Sequence, residues 1–242
     1  MALNVKNFNS NLNKIFLHEK NPKIAVGISG GPDSIALTLL LNSWVKRKKG
    51  DLIALIVDHK IRKESFDESI KTKKYLFVKK IKSKILFVSK NKVLQGKPNQ
   101  ARTNRFEKMT SFCKLNKIFH LFLAHHYDDN IETFLIRKVA GSNFEGLNCM
   151  QNVSYFNTIQ IVRPLLTYTK KEIIEFNKKN NLDYILDPSN KNIKYTRVAI
   201  REFILSNKKI CKNINDDLKI IKKNYKNYKK MIFQIFNLLI LE

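Results

Sequence analysis

KIAVGI at Lys23–Ile28 runs straight into SGGPDS at Ser29–Ser34 and then into IALTLLL at Ile35–Leu41. The first segment is a short, almost wholly apolar run, as in a strand buried on both faces. Two glycines and a proline then cut it off. The third segment is apolar on nearly every side, as in a helix packed beneath other layers, and it starts at about Asp33. A strand, a glycine-rich loop and a buried helix in that order make the first unit of an α/β sheet.

The same pattern recurs downstream. A strand is expected at Leu52–Val57 with a polar helix from about Ser65, a strand at Ile85–Val88 with a helix from about Asn99, and a strand at His120–Ala124 with a helix from about Asp129. A leading helix over about Asn4–Glu19 precedes them. Alternating strands and helices of this length imply right-handed crossovers, hence an α/β fold with a doubly wound, mostly parallel sheet. Ligands of such sheets bind beyond the carboxyl ends of the strands. SGGPDS, DHKIRKES (Asp58–Ser65) and HHYDDNIET (His125–Thr133) all fall there. A smaller unit follows, with VRPLL at Val162–Leu166, a helix over about Thr169–Asn180, and DPSN at Asp187–Asn190 leading to Arg197 and Arg201. The expected organisation is a catalytic domain over 1–207, including the small unit 159–207, and a short basic helical C-terminal extension over 208–242.

Among the 242 residues, 46 Lys and Arg stand against 20 Asp and Glu, a formal charge of +26. So large an excess favours association with a polyanion. Most of it is Lys, accompanied by Asn and Ile, which an AT-biased coding sequence would also produce; composition alone leaves both explanations standing. Where Arg persists against that bias, the planar bidentate guanidinium is the feature Lys cannot supply. The three cysteines, Cys113, Cys149 and Cys211, form no CxxC pair, so zinc-ribbon and iron–sulfur spacing is absent. No run of 18 apolar residues and no signal-like N-terminus occurs, which predicts a cytoplasmic protein with no membrane partner.

Gly30 and Gly31 allow positive φ and expose successive N–H groups, while the following helix points its positive dipole end at the loop. Ser29, Ser34 and Asp33 add hydroxyls and a carboxylate able to hold Mg²⁺. A plain tight turn is the alternative. The loop is neither a Walker A sequence nor GxGxxG. In HHYDDNIET, Asp129, Glu132 and Thr133 share one helix face by their spacing. Helix capping by Asp128 or Asp129 explains part of this cluster and is compatible with a catalytic role. Its carboxylates suit Mg²⁺ better than Zn²⁺.

SGGPDS after a first strand resembles the pyrophosphate loop (PP-loop) of the N-type ATP pyrophosphatases, which cleave ATP between the α and β phosphates. With VDHKIRKES, ARTNRF (Ala101–Phe106), LAHHYDDNIET, GSNFEGLNCM (Gly141–Met150), RPLL and DPSN in order, the sequence resembles the tRNA(Ile)-lysidine synthase family over about Pro22–Leu205. The resemblance implies an ATP-consuming carbon–nitrogen ligase. The C2 oxygen of the wobble cytidine of CAU-anticodon tRNA(Ile) is adenylated with loss of pyrophosphate, and the ε-amine of free L-lysine then displaces AMP. It implies ATP binding by Ser29, Gly30, Gly31, Pro32, Asp33, Ser34 and Asp58. Asp33 and Asp129 would position Mg²⁺ and the reacting phosphate, one of them also serving as base for the lysine ammonium. Arg105 would neutralise developing charge. Arg102, His125, Asp128 and Glu132 would contact the substrates. For Arg163, Arg197 and Arg201, salt bridges holding the small unit to the sheet and tRNA contacts remain equal alternatives.

Asn143 and Cys149 stand where that family usually has Gly, and Val198 where it has Asn. Asn143 is able to adopt a left-handed conformation, so the loop is expected to survive there, whereas Cys149 fits less well if positive φ is required. The region after Lys208 is expected to be a truncated counterpart of the domains with which relatives grip tRNA. Its apolar decade Ile232–Leu241 should pack as a helix on the small unit or, as a homodimer, on a second subunit. Its Lys and Tyr residues should face tRNA. Two alternatives are a tRNA thiolase, against which the isolated cysteines count, and a degenerate RNA-binding protein.

Overall fold

The computed structural model describes residues 2–58, 65–88, 98–185 and 196–240, with the side chains of 98–102, 196–197, 205, 208–212 and 235–240 left out. The chain divides into two compact units, Met1–Tyr127 with Asn152–Asp187, and Asp128–Gln151 with Pro188–Glu242.

The first unit is built on six strands: β1 Lys23–Ile28, β2 Asp51–Asp58, β3 Lys82–Phe87, β4 His120–Phe122, β5 Val153–Phe156 and β6 Ile159–Val162. Their order is β3-β2-β1-β4-β6-β5, parallel throughout except for the β5–β6 hairpin at one edge. The mostly parallel α/β sheet read from the sequence is therefore present. Helices α1 (Val5–Ile15), α2 (Pro32–Arg47), α3 (Ser65–Val78), α4 (Pro98–Leu115) and α7 (Lys170–Lys179) surround it. Side chains alternate along β1, so the two sheet faces feed separate cores. Ile24, Val26 and Ile28 join Phe8, Leu12, Leu37, Trp44, Leu76 and Ile173. Ala25 joins Met109, Cys113, Leu121 and Ile161 on the other side. Trp44 is 1% exposed, and an apolar side chain of this class buried so fully contributes about 1.5–3 kcal/mol.

The sequence places some ends elsewhere. The leading helix stops at Ile15, not Glu19, because Phe16 turns extended and is buried. Strand β3 starts at Lys82 rather than Ile85. Its Lys82 and Lys84 read as polar loop, but on an edge strand lysines are tolerated and block further pairing. Helix α7 has its expected ends, since Thr169 and Glu172 form a reciprocal capping box and Asn180 closes it.

The second unit holds most of α5 (Tyr127–Val139), then α6 (Phe144–Leu147), α8 (Thr196–Ser206) and α9 (Lys208–Ile240). Asn130 ties α5 to the end of the α6 segment, its amide bonding both the N–H and the carbonyl of Met150 at 2.9 and 3.2 Å. Lys138 pairs with Asp217 of α9 at 2.6 Å. Asn143 does not use the left-handed conformation open to it. It lies at φ −65° and caps α6 by accepting a hydrogen bond from Gly146 N. The left-handed position is Cys149, at φ +58°. The apolar C-terminal decade is helical as far as Ile240, but Met231, Ile232 and Phe233 remain 45–63% exposed. Among the described residues, no helix is long and apolar enough to cross a membrane.

Candidate active site

Parallel register puts the carboxyl ends of β1, β2 and β4 on one side of the first unit's sheet, and SGGPDS leaves β1 there. Only one of its glycines is left-handed. Gly30 lies at φ +80°, and a Cβ on it would sit 2.5 Å from Thr72 Oγ1. Gly31, expected to share that freedom, is extended at φ −73° as the N-cap of α2, with Pro32 opening the helix. Its cap position offers no side chain, so the helix end keeps outward N–H groups for an anion. The loop is laced internally. Ser34 Oγ donates to Gly31 O at 2.9 Å and accepts from Ser29 N at 3.2 Å, and the two serine oxygens lie 3.3 Å apart.

The same loop is held from outside by α7 and the segment behind it. Lys170, first residue of α7, places Nζ 2.6 Å from both carboxylate oxygens of Asp33. Asn177, two turns on and fully buried, donates to Pro32 O at 3.0 Å. Ile185 N donates to Gly30 O at 2.9 Å. His126 Nε2 lies 3.9 Å from Asp33 Oδ2. None of these partners was singled out by the sequence. Lys170 is one of many lysines, and its only signal is its place beside the Thr169 cap.

The remaining expected residues fall in both units. Asp58 ends β2, is completely buried, and accepts from Ser65 Oγ at 2.7 Å. Arg105 is partly buried on α4, and burial pushes its guanidinium down from the usual range. An arginine stays charged even so, and a partly buried guanidinium can pair with an anion. His125 is partly buried behind β4. The side chains of Arg102 and Arg197, residues 59–64 and the DPSN segment lie outside the described residues. Asp128, Asp129 and Glu132 belong to the second unit. There Asp128 and Asp129 occupy the first turn of α5, where negative charge suits the helix dipole.

Glu132 is buried at 1% exposure, and both Nε and Nη2 of Arg201 reach its Oε1 at 2.8 Å. Burial alone would lower the Arg201 pKa, but the bond and charge of Glu132, with Asp129 and Asp128 adding, raise it on balance. Arg201 thus makes a salt bridge within the second unit. Arg163 donates to Ser154 Oγ at 2.8 Å within the first unit.

Among the described residues, no three His, Cys, Asp or Glu side chains gather into a metal site. Mg²⁺ commonly takes one or two protein carboxylates and completes its shell with substrate phosphates and water, so Asp33 on its own is a fitting donor.

A mostly parallel sheet, a glycine loop capping a buried helix at the carboxyl end of its first strand, and a carboxylate with a lysine beside it define an α/β protein whose first loop has the local geometry suited to an anion. The chain belongs to the PP-loop domain family, whose pattern it matches over residues 4–208. It is 34% identical over 200 residues to the tRNA(Ile)-lysidine synthase of Orientia tsutsugamushi, covering 83% of this chain and 45% of that one. It is 40% identical over 188 residues to the enzyme of the same name from the Wolbachia of Brugia malayi, covering 76% and 43%. The chain thus spans less than half the length of these curated relatives. Its fold is also that of the U34-tRNA thiolase NcsA from Methanococcus maripaludis, with a TM-score of 0.73 at 19% identity over 93% of this chain and 79% of that one.

Proposed function

We propose that this chain carries the ATP-dependent adenylation and ligation chemistry of a tRNA(Ile)-lysidine synthase, acting in the cytoplasm on CAU-anticodon tRNA(Ile) and free L-lysine. The single observation that carries the reading is the SGGPDS loop, held at the end of β1 with its Asp33 carboxylate paired to Lys170. Identity of 34–40% to enzymes of that name supports it further. Residues 1–207 are proposed as the catalytic part and 208–242 as a basic extension toward the tRNA.

In this reading, Ser29, Gly30, Gly31, Pro32 and Ser34 surround the ATP phosphates with backbone N–H groups and hydroxyls, and Asp58 faces the nucleoside. Asp33 and Asp129 are each proposed as Mg²⁺ ligands, and the ion would supply neutralisation of phosphate charge. Lys170 and Arg105 act in the same sense, stabilising the pyrophosphate as it leaves. The cytidine O2 attacks the α-phosphorus and the α–β bridging bond breaks, so pyrophosphate departs and an O-adenylated base remains. The lysine ε-ammonium then loses a proton to Asp33 or Asp129. Its freed nitrogen attacks C2, and the C2–O bond breaks with AMP carrying the oxygen away. His125, Asp128, Glu132 and Arg102 are the proposed substrate contacts, Glu132 acting from its fixed pairing with Arg201.

The test is product analysis with labelled ATP, L-lysine and unmodified tRNA(Ile). AMP and pyrophosphate formed in equal amounts, and only with tRNA present, support the reading; ADP as product overturns it. Asp33→Asn and Asp129→Asn should each lower turnover at least about a hundredfold with the fold retained. Near-wild-type turnover would remove the residue concerned from the site.

A further inference from the structure

The second unit carries three aromatic rings that its described packing leaves partly open. Phe144 of α6 lies 5.8 Å from Tyr225 and 6.4 Å from Tyr228, both on α9, and the two tyrosine rings are 6.4 Å apart. Tyr225 is fixed, its hydroxyl 3.4 Å from Glu145 and Lys229 above its ring at 5.6 Å. Phe144 remains 40% and Tyr228 43% exposed. Spacing of three places Tyr225 and Tyr228 on one helix face.

The surroundings are strongly basic. Between Lys219 and Lys230 the chain has six lysines and no acidic residue. Lys223, Lys226, Lys229 and Lys230 are exposed. A protein partner helix would have to bring carboxylates to match them, whereas a nucleic acid strand brings one phosphate per nucleotide. Aromatic faces beside a cationic track are what unpaired bases bind, because every base offers a π-face and every phosphate a negative charge.

We propose that Phe144 and Tyr228, with Tyr225 bracing them and the lysines of α9 along one border, form a stacking platform for unpaired bases of a single-stranded RNA loop. The inference rests on the reading of the chain as a tRNA-modifying enzyme and adds to it the part of the RNA this surface takes. Phosphate contact by the lysines supplies salt-dependent affinity; the rings supply preference for unpaired over paired RNA.

The experiment measures binding without ATP or lysine, so that it is separate from catalysis. The probes are an RNA stem-loop carrying 2-aminopurine in its loop and a blunt RNA duplex of equal charge. Tyr228→Ala and Phe144→Ala should each weaken stem-loop binding about five- to a hundredfold, the range base–aromatic stacking supplies. They should leave duplex affinity and the salt slope unchanged and reduce quenching of the 2-aminopurine. Tyr228→Phe, which keeps the ring, should bind as wild type and guards against a folding artefact. Lys226→Gln should instead flatten the salt slope. Equal loss of both probes in Tyr228→Ala overturns the platform, as does unchanged stem-loop binding. So does a change in self-association with RNA affinity intact, which would assign the rings to a second copy of the chain. Failure of the wild-type protein to bind either RNA overturns the tRNA reading itself.

Discussion

Lys170 Nζ sits 2.6 Å from both Asp33 carboxylate oxygens, a forked contact made from the first residue of α7 to the first turn of α2. Such charge-assisted bonds are about twice as strong as neutral ones. The lysine therefore balances the Asp33 charge and is a cationic donor beside the loop. Lys170→Gln should weaken ATP binding about tenfold, the loss expected for one hydrogen bond to a charged group, as measured by calorimetry. Unchanged ATP affinity would make the pair structural only.

The two loop glycines are not equivalent. Gly30→Ala puts a Cβ into a left-handed position 2.5 Å from Thr72 Oγ1, whereas at Gly31 the nearest atom, Ser29 Oγ, is 3.5 Å away. Left-handed backbone costs a non-glycine residue about 1–2 kcal/mol before the clash is added. In urea unfolding, Gly30→Ala should lose about 2 kcal/mol or more, and Gly31→Ala less than about 1 kcal/mol. Equal losses would contradict the loop geometry.

Glu132 is buried while Arg201 is 42% exposed in its side chain. Removing the guanidinium leaves a carboxylate in an apolar setting, which for fully buried pairs costs about 3–5 kcal/mol; water reaching this arginine's side lowers that to about 1–3 kcal/mol. Arg201→Ala should destabilise the protein by that amount, and Arg201→Ala with Glu132→Leu should recover most of it. A double variant no more stable than the single one would show that the pair is not the source of the loss.

The Cys113 thiol, buried between α4 and the sheet, is pushed from 9.0 up to about 12 by burial. Its folded-state pKa is raised, so its contribution is fully present below pH 9 and is lost as pH climbs toward 12. One proton limits the slope to about 1.4 kcal/mol per pH unit. Denaturant titrations across that window should show a shallower alkaline loss in Cys113→Ala than in wild type. Parallel curves would exclude the thiol as a contributor.

The sheet was legible because β1, β2 and β4 are apolar runs that end at polar clusters, the general pattern of open α/β sheets. The loop was legible from Gly30, Pro32 and the buried helix behind them. What escaped was long-range. Lys170, Asn177 and Ile185 reach Asp33, Pro32 and Gly30 across more than a hundred positions, and nothing in a lysine or an asparagine marks its distant partner. Asn143 and Cys149 show the limit of local reasoning. Both stood at glycine positions, yet only Cys149 is left-handed, since the Asn143 side chain found a helix end to cap. The start of β3 is hidden from the sequence because Lys82 and Lys84 mask an edge strand's alternation.

The mass of the wobble nucleoside reports directly on the proposed ligation. The purified chain is incubated with ATP, L-lysine and unmodified CAU-anticodon tRNA(Ile), and the RNA is digested to nucleosides and weighed. The expected result is a cytidine heavier by one lysine less one water, formed only with ATP and absent in Asp33→Asn. A wobble cytidine of unchanged mass under conditions where the protein binds the tRNA and ATP, or one that has gained sulfur, would contradict the account.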